Sequence, residues 1–267
     1  MSKRVVIIGG GFSGLAAGVR LAERGWPVLL LERRPHLGGR AYSFIDSQTN
    51  DSVDNGQHLF MGCYRSTIAF LEKIGSLDKL KFQERTRVDF LDRSNRFSSF
   101  ACPPLPAPLH VVAGLLNMEG ITFRDRVRAL SVGRAIRKAS ATDQKTVDDW
   151  LDDLGQSQRM RERFWYPMII ATLNESPAVA SARMLQKVLQ EAFGGDRQNS
   201  SIGISSVGLS DLYTTGARAF IESRGGEVRL RAQVCSIETE GGQVAGLRTK
   251  DGERVTGDYF ISTMPPQ

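Results

Sequence analysis

Two short, uninterrupted apolar runs dominate the beginning of the chain. Residues 5–8 and 28–31 have the length and the aliphatic composition of buried strands. Between them, the pattern from about Ser13 to Arg24 predicts a helix, and Gly25 suits its C-cap. The order of strand, helix and strand predicts a βαβ unit with parallel strands, which places the chain in the α/β class.

The pattern of apolar and polar positions changes near the middle of the chain, and the α/β pattern returns later. Residues 88–100 alternate and predict a β-hairpin with its turn at 93–95, and residues 109–193 are mostly helical and rich in large apolar groups. A helical block inserted into an α/β fold indicates a substrate lid or cap. The predicted domains are residues 1–86 for the first part of the α/β domain, 87–208 for the inserted substrate domain, and 209–267 for the returning part of the α/β domain.

Several elements of the inserted and returning parts leave two interpretations open. Residues 109–118 are apolar enough either for the core or for contact with an apolar substrate or a membrane interface. The helix that starts at the Thr122-x-x-Asp125 signal and runs to about Ala139 is basic and amphipathic, so it either presents a solvated charged face or lies on an anionic surface. Pro167 is predicted to kink a helix that begins near Gln158, and residues 228–237 are predicted to form one strand.

Composition narrows the choice of partners. The chain has 267 residues, 41% of them hydrophobic, and a net charge of +6, which favours an anionic partner such as a membrane surface or an acidic ligand. No nucleic-acid-binding motif is present, so nucleic acid is not an expected partner. The widely spaced Cys63, Cys102 and Cys235 indicate neither a disulfide framework nor a metal site and fit a reducing cytoplasm. No stretch is long enough to span a bilayer, so membrane contact is expected to be peripheral, on the inner face of the cytoplasmic membrane.

Three glycines follow the first predicted strand with the spacing GxGxxG. Gly9 permits a tight turn, Gly11 allows a diphosphate to approach the backbone, and Gly14 allows the helix to pack close to the strand. The helix that follows points its N-terminus, with free N–H groups, at the phosphates. Glu32 ends the second predicted strand, where a carboxylate accepts hydrogen bonds from a ribose diol. These residues together predict an adenine dinucleotide site.

The residues after Glu32 include Arg34 and the sequence Gly38-Gly39-Arg40. This arrangement resembles the flavin-containing amine oxidase and phytoene desaturase superfamily, in which the segment surrounds a tightly held FAD. The resemblance implies that Glu32 binds the adenosine ribose, and that Gly39, Arg34 and Arg40 fix or neutralise the cofactor. A guanidinium group is suited to this because its forked donors match phosphate oxygens.

The resemblance extends to Asp54-Asn-Gly-Gln-His58. It implies that the backbone at Gly56 and Gln57 runs under the flavin ring, and that Val234 meets the adenine through its backbone. His58 and Asp54 are the candidates for catalysis: an imidazole near the flavin could position substrate or pass a proton. Each also has a structural alternative, His58 as a hydrogen-bonded histidine and Asp54 as an acceptor that fixes a turn.

Further stretches resemble one subgroup, hydroxysqualene dehydroxylase. They are Asp54 to Arg65, Pro104 to His110, Trp165 to Pro167 with Ala171 to Asn174, and Leu209 to Leu212. The resemblance implies a Rossmann-like FAD-binding domain with an inserted, mainly helical substrate domain. It also implies reductive removal of the hydroxyl of hydroxysqualene, a long-chain isoprenoid, to give squalene for hopanoid synthesis, in a dry apolar cavity and with an electron donor that the sequence does not identify.

Three alternatives remain open. A carotenoid or phytoene desaturase uses the same FAD domain but oxidises a polyene. An amine oxidase requires an aromatic cage for its amine. A prenyl-lipid-binding protein of the GDP dissociation inhibitor type shares the fold without using flavin, against which the intact GxGxxG, Glu32 and Gly38-Gly39-Arg40 argue. The superfamily pattern continues beyond the last predicted strand, so the chain is expected to be the N-terminal portion of a longer enzyme.

Overall fold

The computed structural model describes residues 3–91, 95–138 and 144–265. The chain divides into two compact units: Met1–Leu59, Arg65–Lys81 and Ile204–Gln267 form the first, and Phe60–Tyr64 and Phe82–Gly203 form the second. The predicted divisions after residues 86 and 208 lie a few residues beyond these boundaries. The assignment of residues 60–64 to the second unit was not predicted.

Both units contain strands and helices. The strands are β1 (Val5–Ile8), β2 (Val28–Leu31), β3 (Ser43–Ile45), β4 (Ser52–Asp54), β5 (Phe60–Met61), β6 (Leu80–Phe82), β7 (Arg87–Leu91), β8 (Phe97–Ala101), β9 (Ile202–Ser205), β10 (Glu227–Arg229), β11 (Val234–Glu240), β12 (Gln243–Thr249), β13 (Arg254–Val255) and β14 (Tyr259–Ser262). The helices are α1 (Phe12–Glu23), α2 (Arg65–Lys73), α3 (Leu109–Asn117), α4 (Phe123–Lys138), α5 (Val147–Asp153), α6 (Gln158–Met160), α7 (Tyr166–Leu173), α8 (Ala182–Phe193) and α9 (Thr215–Glu222).

A parallel sheet with the order β10-β2-β1-β14 forms the centre of the first unit. Every residue of β1 and β2 is buried, as expected for strands that are covered on both faces. The helix α1 connects these two strands, which confirms the predicted βαβ unit.

The two faces of this sheet are covered by different elements. On one face Val6, Ile8 and Leu31 pack with residues of a second, antiparallel sheet, β11-β12-β13. On the other face, a Cβ built at Gly18 of α1 would lie 2.8 Å from Ile221 of α9 and 3.6 Å from Ile7 of β1. The first unit therefore has three layers, with the glycine loop and Glu32 at the carboxyl ends of the central strands.

The second unit is mainly helical, as predicted, and has its own core. The hairpin β7–β8 pairs Val88 with Phe100, while the predicted turn residues Arg93 and Ser94 lie outside the described residues, as does the predicted helix end at Ala139. The core includes Phe100, Leu115, Met118, Trp150, Leu151, Met160, Phe164, Ile169 and Leu185. None of the helices described in the structure is both long and apolar enough to cross a membrane.

The helix that contains Pro167 changes its hydrogen-bonding pattern along its length. Its first turn, α6, is followed by a π-helical segment, Arg161–Trp165, and then by α7, in which Pro167 occupies one of the first two positions. Proline lacks the N–H of a regular turn and its ring crowds the carbonyl four residues earlier. The structure thus shows a π-helical segment directly ahead of the proline, and the predicted kink at Pro167 stays a prediction.

The prediction of one strand over residues 228–237 is wrong. β10 belongs to the parallel sheet and pairs Glu227 with Leu29, whereas β11 belongs to the antiparallel sheet and pairs Val234 with Thr249. Between them, Arg231 adopts a left-handed conformation with φ of 58°, which interrupts the extended backbone.

Candidate cofactor site

The three glycines of the GxGxxG loop are required for different reasons. Gly9 has φ of 108°, and a Cβ at Gly14 would lie 1.9 Å from the carbonyl oxygen of Gly9, so the fold itself requires glycine at both positions. A Cβ at Gly11 would meet only the Cα of Gly39, at 3.7 Å. The space in front of Gly11 is therefore open, as a closely approaching diphosphate requires.

The N-terminus of α1 is uncapped. Its N-cap residue is Gly11, which has no side chain to accept a hydrogen bond, and the first turn contains no acidic residue. The first backbone N–H groups of a helix have no intrahelical partner, and they lie at the positive end of the helix dipole. The site therefore presents donors to an anion, and a diphosphate fits it.

The carboxylate of Glu32 is turned towards the glycine loop. The side chain is buried; Oε2 accepts a hydrogen bond from Gly10 N at 2.7 Å, and Oε1 accepts one from Arg34 N at 2.8 Å. These bonds fix the orientation of the carboxylate and leave further lone pairs on both oxygens. Glu32 can therefore accept hydrogen bonds from a ribose diol at the position that the sequence predicted.

The second glycine pair lies against the first glycine loop. Gly38 N donates to Gly10 O at 2.9 Å, and a Cβ at Gly39, which has φ of 60°, would lie 3.1 Å from the Cα of Gly11. Arg34 Nη1 donates to Gly39 O at 3.0 Å. The structure thus shows Arg34 holding the loop itself, while its predicted contact with the cofactor stays a prediction.

Arg40 differs from Arg34 in its surroundings. It is exposed, and within the described part of the chain its guanidinium has neither a hydrogen bond nor an ion pair. Its carbonyl oxygen accepts a hydrogen bond from Asn55 Nδ2 at 3.1 Å, which fixes the backbone at this point. The side chain is therefore available to an anionic group.

Two residues that fix the site were not predicted from the sequence. The hydroxyl of Tyr213, which is fully buried, donates to the carbonyl oxygens of Gly38 and Ala41, at 2.9 and 2.5 Å. Burial raises the pKa of Tyr213, so the hydroxyl remains a donor. Thr263 Oγ1 donates to Ile8 O at 2.9 Å, at the end of β1. Both partners are distant in sequence, so no local pattern indicates these contacts.

Gly56, Gln57 and His58 are exposed. A Cβ at Gly56 would meet only His58 Cε1, at 3.9 Å, so the surrounding chain does not itself require glycine there. His58 Nδ1 lies 2.7 Å from Gly56 O. Because a carbonyl only accepts, Nδ1 carries a proton and donates it to Gly56 O. The predicted flavin contacts of Gly56 and Gln57 fit this open surface and stay predictions.

Asp54 occupies a structural network. Its Oδ1 accepts hydrogen bonds from Ser43 Oγ at 2.7 Å and from Leu209 N at 2.9 Å. Ser43 Oγ in turn accepts from Ser210 N at 3.0 Å. These bonds tie the β3–β4 hairpin to the segment that precedes α9, so the structure shows the structural alternative for Asp54, and its predicted catalytic role stays a prediction.

Val234 begins β11 and packs against the cluster that includes Val6 and Leu29. The preceding segment runs beside the end of β2, since Ala232 N donates to Glu32 O at 2.9 Å. Val234 thus lies two residues from a residue bonded to Glu32, where an adenine contact is predicted.

Among the described residues, no group of three or more His, Cys, Asp or Glu is placed to hold a metal ion.

Comparison with known proteins agrees with this geometry. The family model for flavin containing amine oxidoreductase matches residues 12–267. The chain is 28% identical to a probable zeta-carotene desaturase of Synechococcus elongatus, over 97% of this chain and 58% of that protein. It is also 28% identical to a hydroxysqualene dehydroxylase of Rhodopseudomonas palustris, over 100% of this chain and 63% of that protein.

A solved structure shares the fold. The crystal structure of an oxidoreductase from Methanosarcina mazei superposes with a TM-score of 0.74 at 18% identity, covering 97% of this chain and 58% of that one. The chain thus spans about three fifths of the length of these proteins. The family match confirms the predicted flavin cofactor, FAD, and the predicted fold class. The chain belongs to the flavin-containing amine oxidoreductase family.

Proposed function

We propose that this protein is an FAD-dependent oxidoreductase that acts on a long isoprenoid lipid and reductively removes the hydroxyl of hydroxysqualene to give squalene. The observation that most supports the redox part is the carboxylate of Glu32, held towards the glycine loop by Gly10 N at 2.7 Å. The substrate is supported by the Asp54 to Arg65 and Pro104 to His110 stretches and by the similarity to the Rhodopseudomonas palustris protein along the whole chain.

Each part of the cofactor site has a task in this proposal. The N–H groups at the start of α1 and the guanidinium of Arg40 bind the diphosphate, and Glu32 binds the ribose. Tyr213 and Arg34 hold the Gly38–Ala41 loop in place through its carbonyl oxygens. When bound, the flavin supplies the electron pair that the reaction needs.

His58 is our candidate for the proton donor. Loss of an allylic hydroxyl as water requires a proton, and His58 Nε2 is the nitrogen that can release one while Nδ1 remains bonded to Gly56 O. We expect His58→Gln in the full-length protein to lower squalene formation by about 100-fold or more while flavin stays bound, since general acid catalysis contributes about 10²–10⁴ in rate. Unchanged turnover would remove His58 from this role.

The reaction is tested by incubating the full-length protein, with its flavin reduced anaerobically, with hydroxysqualene and analysing the lipids by gas chromatography and mass spectrometry. The proposal predicts squalene as the product, formed in step with reoxidation of the flavin. A stable reduced flavin with no squalene would contradict it.

A carotenoid desaturase is the second candidate. It is supported by the similarity to the zeta-carotene desaturase, which extends over 97% of this chain. The same assay discriminates the two, because a desaturase requires oxidised flavin and lengthens the conjugated system of a polyene. New visible absorption from phytoene or zeta-carotene, without conversion of hydroxysqualene, would favour this candidate.

We also propose that the protein binds peripherally to an anionic membrane, on the cytoplasmic face. The support is the exposed surface of α4, where Phe123 is 75% exposed and Val127 is 49% exposed on the same side of the helix. Arg124, also exposed, lies beside them and favours anionic head groups.

A further inference from the structure

A cavity of about 420 Å³ lies inside the second unit, between α3, α4, α8 and the π-helical segment. Counting the described residues, its lining is aliphatic and aromatic apart from one charged side chain, with Val112, Leu115, Leu130, Ile136, Phe164 and Phe193 among its members. The volume falls within the range of about 300–1,000 Å³ that is usual for small-molecule sites.

Two polar side chains beside this cavity, Trp165 and Gln190, already have partners. Trp165 Nε1 donates to Gln156 Oε1 at 3.0 Å, and Gln190 Nε2 donates to Ile136 O at 2.8 Å. A few buried side-chain polar atoms in the described parts of the chain lack a hydrogen bond. None of these atoms belongs to a residue that lines the cavity. A water molecule needs two to four polar partners to stay in a cavity, so an apolar occupant is favoured here.

Gly133 is a second indication of a ligand. It lies inside α4 and lines the cavity, and a Cβ built there would meet no atom of a neighbouring element within 4 Å. Packing therefore does not require a glycine, although a glycine in a helix interior costs about 1 kcal/mol relative to alanine. Such a position is expected where a ligand approaches the helix backbone closely.

The charged lining residue is Arg134. It is exposed, so it lies where the cavity meets solvent, and it pairs with no carboxylate among the residues that the structure describes. Its guanidinium offers forked donors that match a carboxylate or a phosphate.

We propose that this cavity binds the hydrocarbon chain of an anionic amphiphile, with the anionic head group on Arg134. A fatty acid and a prenyl diphosphate share this chemistry. The proposal goes beyond the oxidoreductase function and does not depend on it, because all lining residues belong to the second unit.

The test is displacement of a fluorescent probe, dansylaminoundecanoate, from the purified full-length protein by palmitate, farnesyl diphosphate and the uncharged farnesol. We expect at least one of the two anions to displace the probe at micromolar concentration, and the tighter anion identifies the source of the ligand. Farnesol is expected to bind about tenfold more weakly than farnesyl diphosphate, because it lacks the charge-assisted hydrogen bonds.

Two variants on α4 and two controls on α8 test the geometry. Gly133→Leu fills the cavity and should weaken all three ligands tenfold or more without lowering the melting temperature, whereas Arg134→Ala should weaken only the anions. Met184→Leu and Lys187→Ala, at exposed positions outside the lining, should bind like the wild type. Failure of both anions to displace the probe, unchanged affinity in Gly133→Leu, or equal binding of farnesol and farnesyl diphosphate would overturn the proposal.

Discussion

Glu32 shows how a single side chain is prepared for a ligand. Its two oxygens accept backbone hydrogen bonds from Gly10 and Arg34, so the carboxylate is held in one orientation before a sugar binds. A hydrogen bond to an ionised group contributes about 1.5–3 kcal/mol, which is more than one between neutral groups. The identity of this residue was predictable because it ends an apolar strand, whereas its backbone contacts were not.

We therefore predict that Glu32→Gln weakens FAD binding by about 10- to 100-fold, which corresponds to the loss of hydrogen bonds to a charged acceptor. The amide group of glutamine must also place a donor next to one of the two backbone N–H groups. Isothermal titration of the flavin-free protein with FAD measures the effect. Glu72→Gln, an exposed change on α2, serves as the control, and an affinity equal to that of the wild type in Glu32→Gln would contradict the assignment.

Tyr213 shows why part of the site could not be predicted from the sequence. Its hydroxyl reaches Gly38 and Ala41 over more than 170 residues of chain, and a buried aromatic residue on a helix looks like any other core residue in the sequence. The glycines and Glu32, by contrast, stand at fixed spacings within one βαβ unit, so a local pattern reveals them. Contacts between distant segments require the folded chain.

For Tyr213→Phe we expect a loss of about 1–3 kcal/mol in the free energy of unfolding, because the Ala41 carbonyl loses its donor, whereas Gly38 O keeps the hydrogen bond from Ala41 N. FAD affinity should fall as well, since the Gly38–Ala41 loop is no longer held. Urea unfolding and FAD titration measure the two effects. Tyr64→Phe, at a tyrosine that is 45% exposed, is the control; equal stability of Tyr213→Phe and the wild type would show that the two bonds are unimportant.

In the βαβ unit, the fold itself requires glycine at Gly14, whereas ligand binding requires glycine at Gly11. Gly14 lies where the start of α1 touches the glycine turn, and a Cβ there would overlap the carbonyl oxygen of Gly9. Gly11 adopts φ of −79°, which any residue tolerates, and faces open space. Comparing substitutions at Gly11 and Gly14 therefore distinguishes an effect on packing from an effect on FAD binding.

We predict opposite outcomes for alanine at these two positions. Gly11→Ala should change the free energy of unfolding by no more than about 1 kcal/mol, the size of a capping effect, but weaken FAD binding by about 100-fold because the methyl group occupies the path of the diphosphate. Gly14→Ala should lower stability by about 3 kcal/mol or more. Thermal melting and FAD titration of both variants provide the comparison; full FAD affinity in Gly11→Ala would contradict it.

The strands after α9 illustrate the limit of pattern analysis for elements. Residues 228–237 carry a strand-like composition throughout, yet they form two strands in two different sheets. The break depends on the left-handed backbone at Arg231, and arginine gives no signal for that conformation. The buried strands β1 and β2 were predictable because burial on both faces leaves an uninterrupted apolar run.

The division of the protein into two units follows the change from α/β to helical patterning, with one exception. Phe60–Tyr64 belong to the second unit, where Phe60 pairs with Gly203. A Cβ at Gly62 would lie 1.9 Å from the carbonyl oxygen of Gln198, so this short segment packs against backbone that is distant in sequence. Five residues are too few to show a periodicity of their own.

The proposed membrane contact concerns the surface of the second unit. We predict that Phe123→Ser reduces binding to anionic phosphatidylglycerol vesicles by about tenfold, because a phenylalanine side chain gains about 1.5–3 kcal/mol on leaving water. Co-sedimentation with vesicles measures the effect, and neutral phosphatidylcholine vesicles should bind the wild type more weakly. Phe97→Ser, at another exposed phenylalanine of this unit, is the control; equal losses in both variants would contradict a specific role for α4.

The central claim is that FAD lies along the first βαβ unit, with its diphosphate at the start of α1 and its adenosine ribose on Glu32. A crystal structure of the protein with FAD tests this most directly. The account predicts ribose hydroxyl oxygens within about 2.6–3.2 Å of the Glu32 carboxylate and diphosphate oxygens at the N–H groups of the first turn of α1. An adenosine bound elsewhere, or a ribose that does not contact Glu32, would contradict it.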